Sequence, residues 1–139
     1  MRKTLVILAM ALLVPSVALA AKPAHSSKGG KSAPKVTYVL KGTLSGYTAY
    51  NSSTSTNGSI TIAVSRTNYH GKTLKSQTLT FPVDSKTKVS LENGLTTITN
   101  GDSGIVKVRA AKKIPAASLA ATLQTYSARQ TVDQGTNSG

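Results

Sequence analysis

Few residues of this chain could do nucleophilic chemistry. A serine nucleophile needs a general base within hydrogen-bond reach and a carboxylate that orients the base. Ser103, His70 and Asp84 are the candidates for these three roles. Ser103 lies in segment 101–104, whose Gly and Asp residues are typical of a tight turn, and the turn is the simpler interpretation. We therefore expect no catalytic residue in this set.

Paired carboxylates, the other common catalytic device, would have to come from only four acids. These are Asp84, Glu92, Asp102 and Asp133, and each falls in a predicted turn or in the C-terminal tail. We expect them to be scattered, so acid–base hydrolysis is not indicated. The chain has no cysteine and two histidines, which leaves too few ligands for a metal site. The sequence predicts a protein that is not an enzyme and has no cofactor.

Charge is the strongest signal in the composition. The chain has 17 Lys and Arg residues against 4 Asp and Glu residues, for a formal net charge of +13. Such an excess favours polyanionic partners, whether nucleic acid, anionic lipid or a phosphate-bearing polymer. The alternative is a charge that only keeps the protein soluble and prevents self-association.

The candidate ligand-binding residues are basic side chains with an aromatic ring nearby. Domains that bind polyanions use cations that follow the backbone of the ligand and aromatic rings that stack on its bases or sugars. The same residue types occur on plain solvated strand faces, which is the alternative here. The predicted site residues are Lys41, Arg66, Tyr69, Lys107, Arg109, Lys112 and Lys113, with Tyr47 and Tyr50 expected near the same end of the domain.

Residues 1–20 predict a secretory signal peptide. Arg2 and Lys3 precede an apolar run, and small residues lead to a predicted cleavage between Ala20 and Ala21. The apolar run is about half of the roughly 20 residues that a membrane span needs. We therefore expect a secreted or periplasmic protein with no stable membrane span after cleavage. Loss of Arg2 and Lys3 would lower its charge from +13 to +11.

Composition divides the rest of the chain into a linker, one domain and a tail. Residues 21–35 contain Gly, Pro, Ser and Lys and almost nothing apolar, which predicts a disordered basic linker. Residues 36–132 are predicted to form one domain. Residues 133–139 are predicted to be a disordered tail. A monomer is expected.

Alternating apolar residues predict five principal strands in the domain. They cover residues 36–47, 59–67, 77–83, 105–111 and 116–132. Gly42 and Gly46 predict a bend or a close backbone approach in the first strand. Asn57 and Gly58 predict a hairpin that pairs the second strand with the first.

Two segments leave the secondary structure open. Residues 87–98 predict either a minor hairpin around Asn93 and Gly94 or a strand followed by a short helical turn. Residues 116–132 combine helix-favouring Ala and Leu with strand-favouring alternation. We favour a strand there, because an open sheet would otherwise keep an unprotected edge.

This order of elements predicts an all-β fold. The expected architecture is a small OB-like Greek-key barrel of five to six antiparallel strands, and a small sandwich is the alternative. An OB-like barrel is consistent with a polar loop after the first strand and an irregular insert before the fourth.

The chain has a series of short motifs at residues 41–43, 60–62, 80–89, 93–94, 101–102, 106–109 and 119–121, which together span about residues 38–126. In these motifs the sequence resembles a family of small exported bacterial domains of unknown function that are built as OB-like barrels. These are turn and core positions, so the resemblance implies a fold and neither an enzymatic activity nor an agreed ligand. Residues 97–102 depart from the pattern of the family, which leaves its short helical turn open.

Two functions follow as hypotheses. The first is an exported, non-enzymatic domain that binds an anionic envelope polymer or another polyanion through its basic face, and such binding weakens steeply with salt. The alternative is an envelope structural or interaction module that packs against a protein partner. That association would tolerate salt and use apolar contacts or an open strand edge.

Overall fold

A computed structural model describes residues 34–136 of the protein. The predicted signal peptide, its cleavage position at Ala20 and Ala21, most of the predicted linker and the last three residues lie outside this range. The strands are β1 (Val36–Thr48), β2 (Gly58–Thr67), β3 (Thr78–Val83), β4 (Lys88–Leu91), β5 (Ser103–Ala110) and β6 (Ala128–Gly135). Helical structure is limited to 3₁₀ turns at Tyr69–Leu74 and Ala116–Ser118 and to the short helix α1 (Leu119–Leu123). Within the described range, no helix is long and apolar enough to cross a membrane.

Strand periodicity decides which side chains form the core. In β1 the side chains of Tyr38, Leu40 and Leu44 are buried, while Lys41 and Thr43 between the two leucines are exposed. β2, β3 and β5 repeat this alternation with other apolar residues. Full burial of one such side chain stabilises a fold by about 1.5–3 kcal/mol. The alternating pattern therefore gives the sheet one apolar face and one polar face that carries several cations.

The six strands form one mixed sheet in the order β3-β2-β1-β5-β6-β4. Neighbouring strands are antiparallel except for β4, which runs parallel to β6. The predicted small, mostly β fold is confirmed. The prediction that the sheet is wholly antiparallel is wrong, and the sheet is not closed.

The end strands β3 and β4 are consecutive in the chain, and this forces the sheet to curl. Only residues 84–87 connect them, and such a connection spans at most about 18 Å. In a flat sheet of six strands the two end strands would be about 24 Å apart, at about 4.8 Å per strand. The sheet must therefore bend its two ends toward each other.

Two hydrogen bonds between side chains and backbone connect β3 and the segment after it to the region around the start of β6. The Thr80 N–H donates to Gln124 Oε1 at 3.0 Å, and the Thr87 hydroxyl donates to the Ala128 carbonyl at 2.6 Å. Neither contact belongs to a strand ladder. They hold the β3 end of the sheet against the start of β6 without a strand pairing.

Asp84 organises the short connection between β3 and β4. Burial raises the pKa of its carboxyl group, but hydrogen bonds from the Lys86 N–H, the Ser127 hydroxyl and Thr87 outweigh burial, and the pKa lies below its ordinary value. The Lys86 N–H donates to Asp84 Oδ1 at 2.8 Å. This is a turn closed by its own side chain, as aspartates commonly provide.

β1 bends at two glycines, as predicted. The ladder with β2 shifts register after Lys41, and a Cβ at Gly42 would overlap the carbonyl oxygen of Ala63. Gly46 lies at a second register shift with φ +59°. Only glycine fits position 42, because any side chain would overlap β2. At position 46 the positive φ favours glycine.

The predicted final strand over residues 116–132 is wrong in its first half. Residues 116–123 are helical, and the strand β6 begins only at Ala128. Leu119 and Leu123 are both buried, and their spacing of four places them on one face of a helix, so helical geometry buries them as well as alternation would. β6 also continues to Gly135, so residues 133–135 lie in the sheet and not in the predicted tail.

Two predicted hairpins also differ in the structure. Residues 88–91 form β4, which pairs in parallel with β6 and makes no local hairpin, and residues 92–102 contain turns but no helix. β2 does pair back on β1, as predicted. Its turn, however, lies at Asn51 and Thr56, which form an isolated bridge, and Gly58 already belongs to β2.

Candidate functional site

The possible serine, histidine and aspartate chemistry is divided among separate elements. Asp84 is occupied in its own turn, and the ring of His70 packs edge-on against Tyr38 and Tyr69 at 6.3 and 5.7 Å between centroids. Ser103 begins β5, opposite Thr43. Asp84 therefore contacts its own turn, and His70 contacts two tyrosines.

Two of the four acids form a buried pair, contrary to the prediction that the acids are scattered. Asp102 is 3% exposed and Asp133 is fully buried. Asp133 reaches this position because it lies in β6 opposite Gly104, a glycine that leaves room for the approach of β6. No sequence pattern pointed to this pair, since a strand register brings the two residues together. Among residues 34–136, no group of three or more His, Cys, Asp or Glu side chains could hold a metal ion.

The carboxyl pair serves as an internal clamp. Asp133 accepts hydrogen bonds from the Thr99 N–H and from the Gly135 N–H, both at 2.9 Å. Burial, then the negative charge of Asp133 and a hydrogen bond with it, raise the pKa of Asp102 above its ordinary value of 3.8. The pair joins the 99–102 turn to the end of β6, and Asp102 also lines a surface depression.

We expect the free energy of unfolding to fall as the pH rises above about 4. The folded state holds the proton of Asp102 more tightly than the unfolded chain does, so this stabilisation is complete below 3.8 and is lost as the pH rises through the raised pKa. Asp102→Asn keeps a hydrogen-bond donor for Asp133 and should remove this decline. Urea unfolding of both proteins between about pH 4 and 8 measures the effect. Glu92→Gln, at an exposed acid, is the control, and a decline that persists in Asp102→Asn would contradict the assignment.

The structure brings some of the predicted basic residues together. Lys41 and Arg66 are direct cross-strand partners on β1 and β2, and both are exposed on the outer face. Like charges in this arrangement destabilise a sheet by about 0.2–1 kcal/mol. The fold therefore accepts a repulsion that a bound anion would relieve.

Three shallow depressions with shared walls extend from this pair across the surface. Lys41 and Arg66 line the first, Arg66 also lines the second with Lys72 and Lys75, and Lys72 lines the third with Lys113. No acid lines any of the three. We call these five residues, Lys41, Arg66, Lys75, Lys72 and Lys113, the basic track.

Tyr69 stands at one end of the basic track. Its side chain is 71% exposed, and it lines the same depression as His70, Lys72 and Lys113. The Lys72 ammonium lies 4.6 Å from the centroid of its ring, within the range of a cation–π contact. The structure thus places an exposed aromatic ring beside the cations at this end of the track.

The other predicted residues lie apart from the basic track. Arg109 lines a different depression, together with Lys35, Tyr126 and Arg129. Lys107 is half-buried and donates a hydrogen bond of 2.9 Å to Gln130 Oε1, so its ammonium is already engaged. Lys112 is exposed on the segment between Arg109 and Lys113. The cluster predicted along β5 and its turn is therefore divided.

Sequence reasoning missed four cations or rings that the structure adds to these surfaces. Lys72 and Lys75 lie between the second and third predicted strands, and their spacing of three was the signal for a shared helical face. Tyr126 lies in the turn before β6, and Arg129 lies in β6 itself, where the strand prediction was right but the bulge was not predicted. Tyr47 and Tyr50, in contrast, pack against the core and do not stand beside Tyr69 as an exposed set.

Comparison with known proteins identifies no family for this chain. The likeness to exported OB-like domains stays a prediction. No family model, no curated protein and no solved structure matches the chain.

Proposed function

We propose that this protein is an exported, non-enzymatic binding module that holds an anionic envelope polymer along its basic track. The observation that carries the proposal is the cross-strand pair of Lys41 and Arg66 within a continuous series of depressions lined by cations and by no acid. A polymer with regularly spaced negative charges fits such a track better than a small ligand does. Export rests on the predicted signal peptide at residues 1–20.

The fold proposed to present this surface is an OB-like one. What supports it is the central position of β1, which pairs with β2 of a β1–β2–β3 meander on one side and with β5 on the other. The curl that the 84–87 connection imposes is also typical of a partly open barrel. The parallel strand β4 is an addition to that pattern.

Binding of the purified protein to a panel of polyanions tests the proposal. The panel is single-stranded DNA, a wall teichoic acid, heparin and anionic vesicles, each titrated across a salt series. Five contacts with phosphates of a single strand predict a loss of about a hundredfold in affinity between about 50 and 200 mM salt. The proposal expects the wall polymer to bind more tightly than the other anions.

A double variant and a matched control locate the surface. Changing Arg66→Gln and Lys72→Gln leaves three contacts and should reduce the salt effect to about twentyfold over the same range. Changing Lys86→Gln and Lys88→Gln removes the same charge from exposed positions outside the track. This control should keep the loss of affinity over the same salt range near a hundredfold. Equal salt slopes in the two variants would show that the track is not the binding surface.

A protein-interaction module is the second candidate, and one observation favours it. β4 is an end strand with a ladder on one side only, and Val89 on it is 40% exposed. An exposed strand edge can add a strand from a partner. Salt-tolerant association that is lost when Val89 is changed to Lys, without polyanion binding, would support this function over the first.

A further inference from the structure

A second basic depression lies apart from the basic track. Lys35, Arg109 and Arg129 supply its charged walls, and the half-buried ring of Tyr126 lies beside them. The rest of its lining is two alanines, and it shares no lining residue with the basic track. The depression therefore concentrates three positive charges at one place and does not distribute them along a path.

A β-bulge keeps Arg129 on the outer face beside Arg109. Gln130 pairs with Lys107, but Val108 pairs with Ala128, so Arg129 is the additional residue of a bulge in β6. In an unbroken ladder Arg129 would have been opposite Val108, which is buried, and its guanidinium would have pointed into the core. The bulge places the small Ala128 there instead, and both arginines remain exposed.

We propose that this depression, which we call the arginine depression, binds the phosphate group of a phosphomonoester or of free phosphate. Two guanidinium groups offer two planar forks of N–H donors, and Lys35 adds an ammonium. A carboxylate has two oxygens and a single negative charge, and it can accept only one fork in the bidentate geometry. A terminal phosphate has three oxygens and a charge near −2 at neutral pH, so it can accept both forks at once.

The inference does not depend on the polymer proposed for the basic track. The arginine depression recognises one compact dianion through the shape of its donors, whereas the track recognises repeated charge. Loss of either activity by mutation should therefore leave the other unchanged.

Titration of the nitrogen-15-labelled protein with small anions tests the site. Inorganic phosphate, methyl phosphate, methyl sulfate and acetate are added at pH about 7.5, where a phosphomonoester is mainly a dianion, while the Nε–H resonances of the arginines are followed. We expect both phosphates to shift Arg109 and Arg129 together. Tighter binding of inorganic phosphate identifies the free ion as the ligand, and equal or tighter binding of methyl phosphate identifies a phosphorylated end group. Methyl sulfate and acetate should bind about tenfold more weakly than the phosphates do.

Charge-conserving variants distinguish bidentate hydrogen bonding by a guanidinium group from non-specific attraction to positive charge. Arg109→Lys and Arg129→Lys keep the charge but remove one fork each, and each should weaken methyl phosphate binding about tenfold. Lys86→Arg, an exchange between the same two cations at an exposed position outside both basic surfaces, is the matched control and should have no effect. The spectra themselves show whether each variant is folded. Unchanged affinity in both variants, or equal binding of all four anions, would overturn the proposal even if polymer binding by the basic track is intact.

Discussion

Replacing Gly42 with alanine is expected to destabilise the protein by about 3 kcal/mol, because this glycine allows two strand backbones to approach closely. A Cβ at position 42 would overlap the carbonyl oxygen of Ala63 in β2. Backbone atoms cannot move aside as a flexible side chain can, so the β1–β2 ladder would have to shift. Urea unfolding measures the loss of stability. Circular dichroism of the strands is a suitable signal, because the chain has no tryptophan for fluorescence.

Gly94→Ala is the matched control for Gly42→Ala. Nothing lies within 4 Å of a Cβ at position 94, but its φ is +76°, so the substitution introduces backbone strain of about 1–2 kcal/mol and no overlap. A smaller loss than that of Gly42→Ala is the expected result. If the two variants lose the same stability, the close approach of β1 and β2 at Gly42 is not a determinant of the fold.

Replacing Phe81 with alanine is expected to lower the free energy of unfolding by about 3–5 kcal/mol, the range for a large aromatic side chain in a packed core. Phe81 is the only phenylalanine of the chain, and it is fully buried although β3 is an end strand. Its burial follows from the curl of the sheet, which turns the inner face of β3 toward the rest of the core. The urea midpoint of the variant, with an unchanged denaturant slope, measures the effect.

Val89→Ala at the other end of the sheet provides the comparison for Phe81→Ala. Val89 is 40% exposed, so its truncation should change stability by no more than about 0.5 kcal/mol. A loss of only about 1 kcal/mol in Phe81→Ala would instead mean that β3 is a loosely packed edge. In that case β3 would not be held against the start of β6 as the contacts of Thr80 and Thr87 indicate.

Local patterns in the sequence were sufficient for most of the strands and for the strand glycines. The alternation of Val36, Tyr38 and Leu40 in β1 has one interpretation, because only an extended chain buries every second residue. Gly42 and Gly46 were recognised for the same reason, since a glycine within such a pattern needs a backbone explanation. The strong positive charge is likewise a property of composition alone.

Pairings between distant segments were decided only in the tertiary structure. The parallel contact of β4 with β6 and the burial of Asp133 beside Asp102 depend on register between residues about 40 and 30 positions apart. The helical turn at α1 escaped sequence reasoning because Leu119 and Leu123 are compatible with either period. The same limit applied to the surface, where the cations predicted from their neighbours along β5 separate into two sites.

Local sequence is enough to set the type of most elements, the alternation that separates core from surface, and the sign of the charge. Each of these depends on residues within a few positions of one another. The tertiary structure alone decided that the sheet curls, which cations become neighbours across strands, and which face Arg129 occupies. Those outcomes depend on the 84–87 connection and on a one-residue bulge in β6. The effect of each depends on pairing with strands that are distant in the sequence.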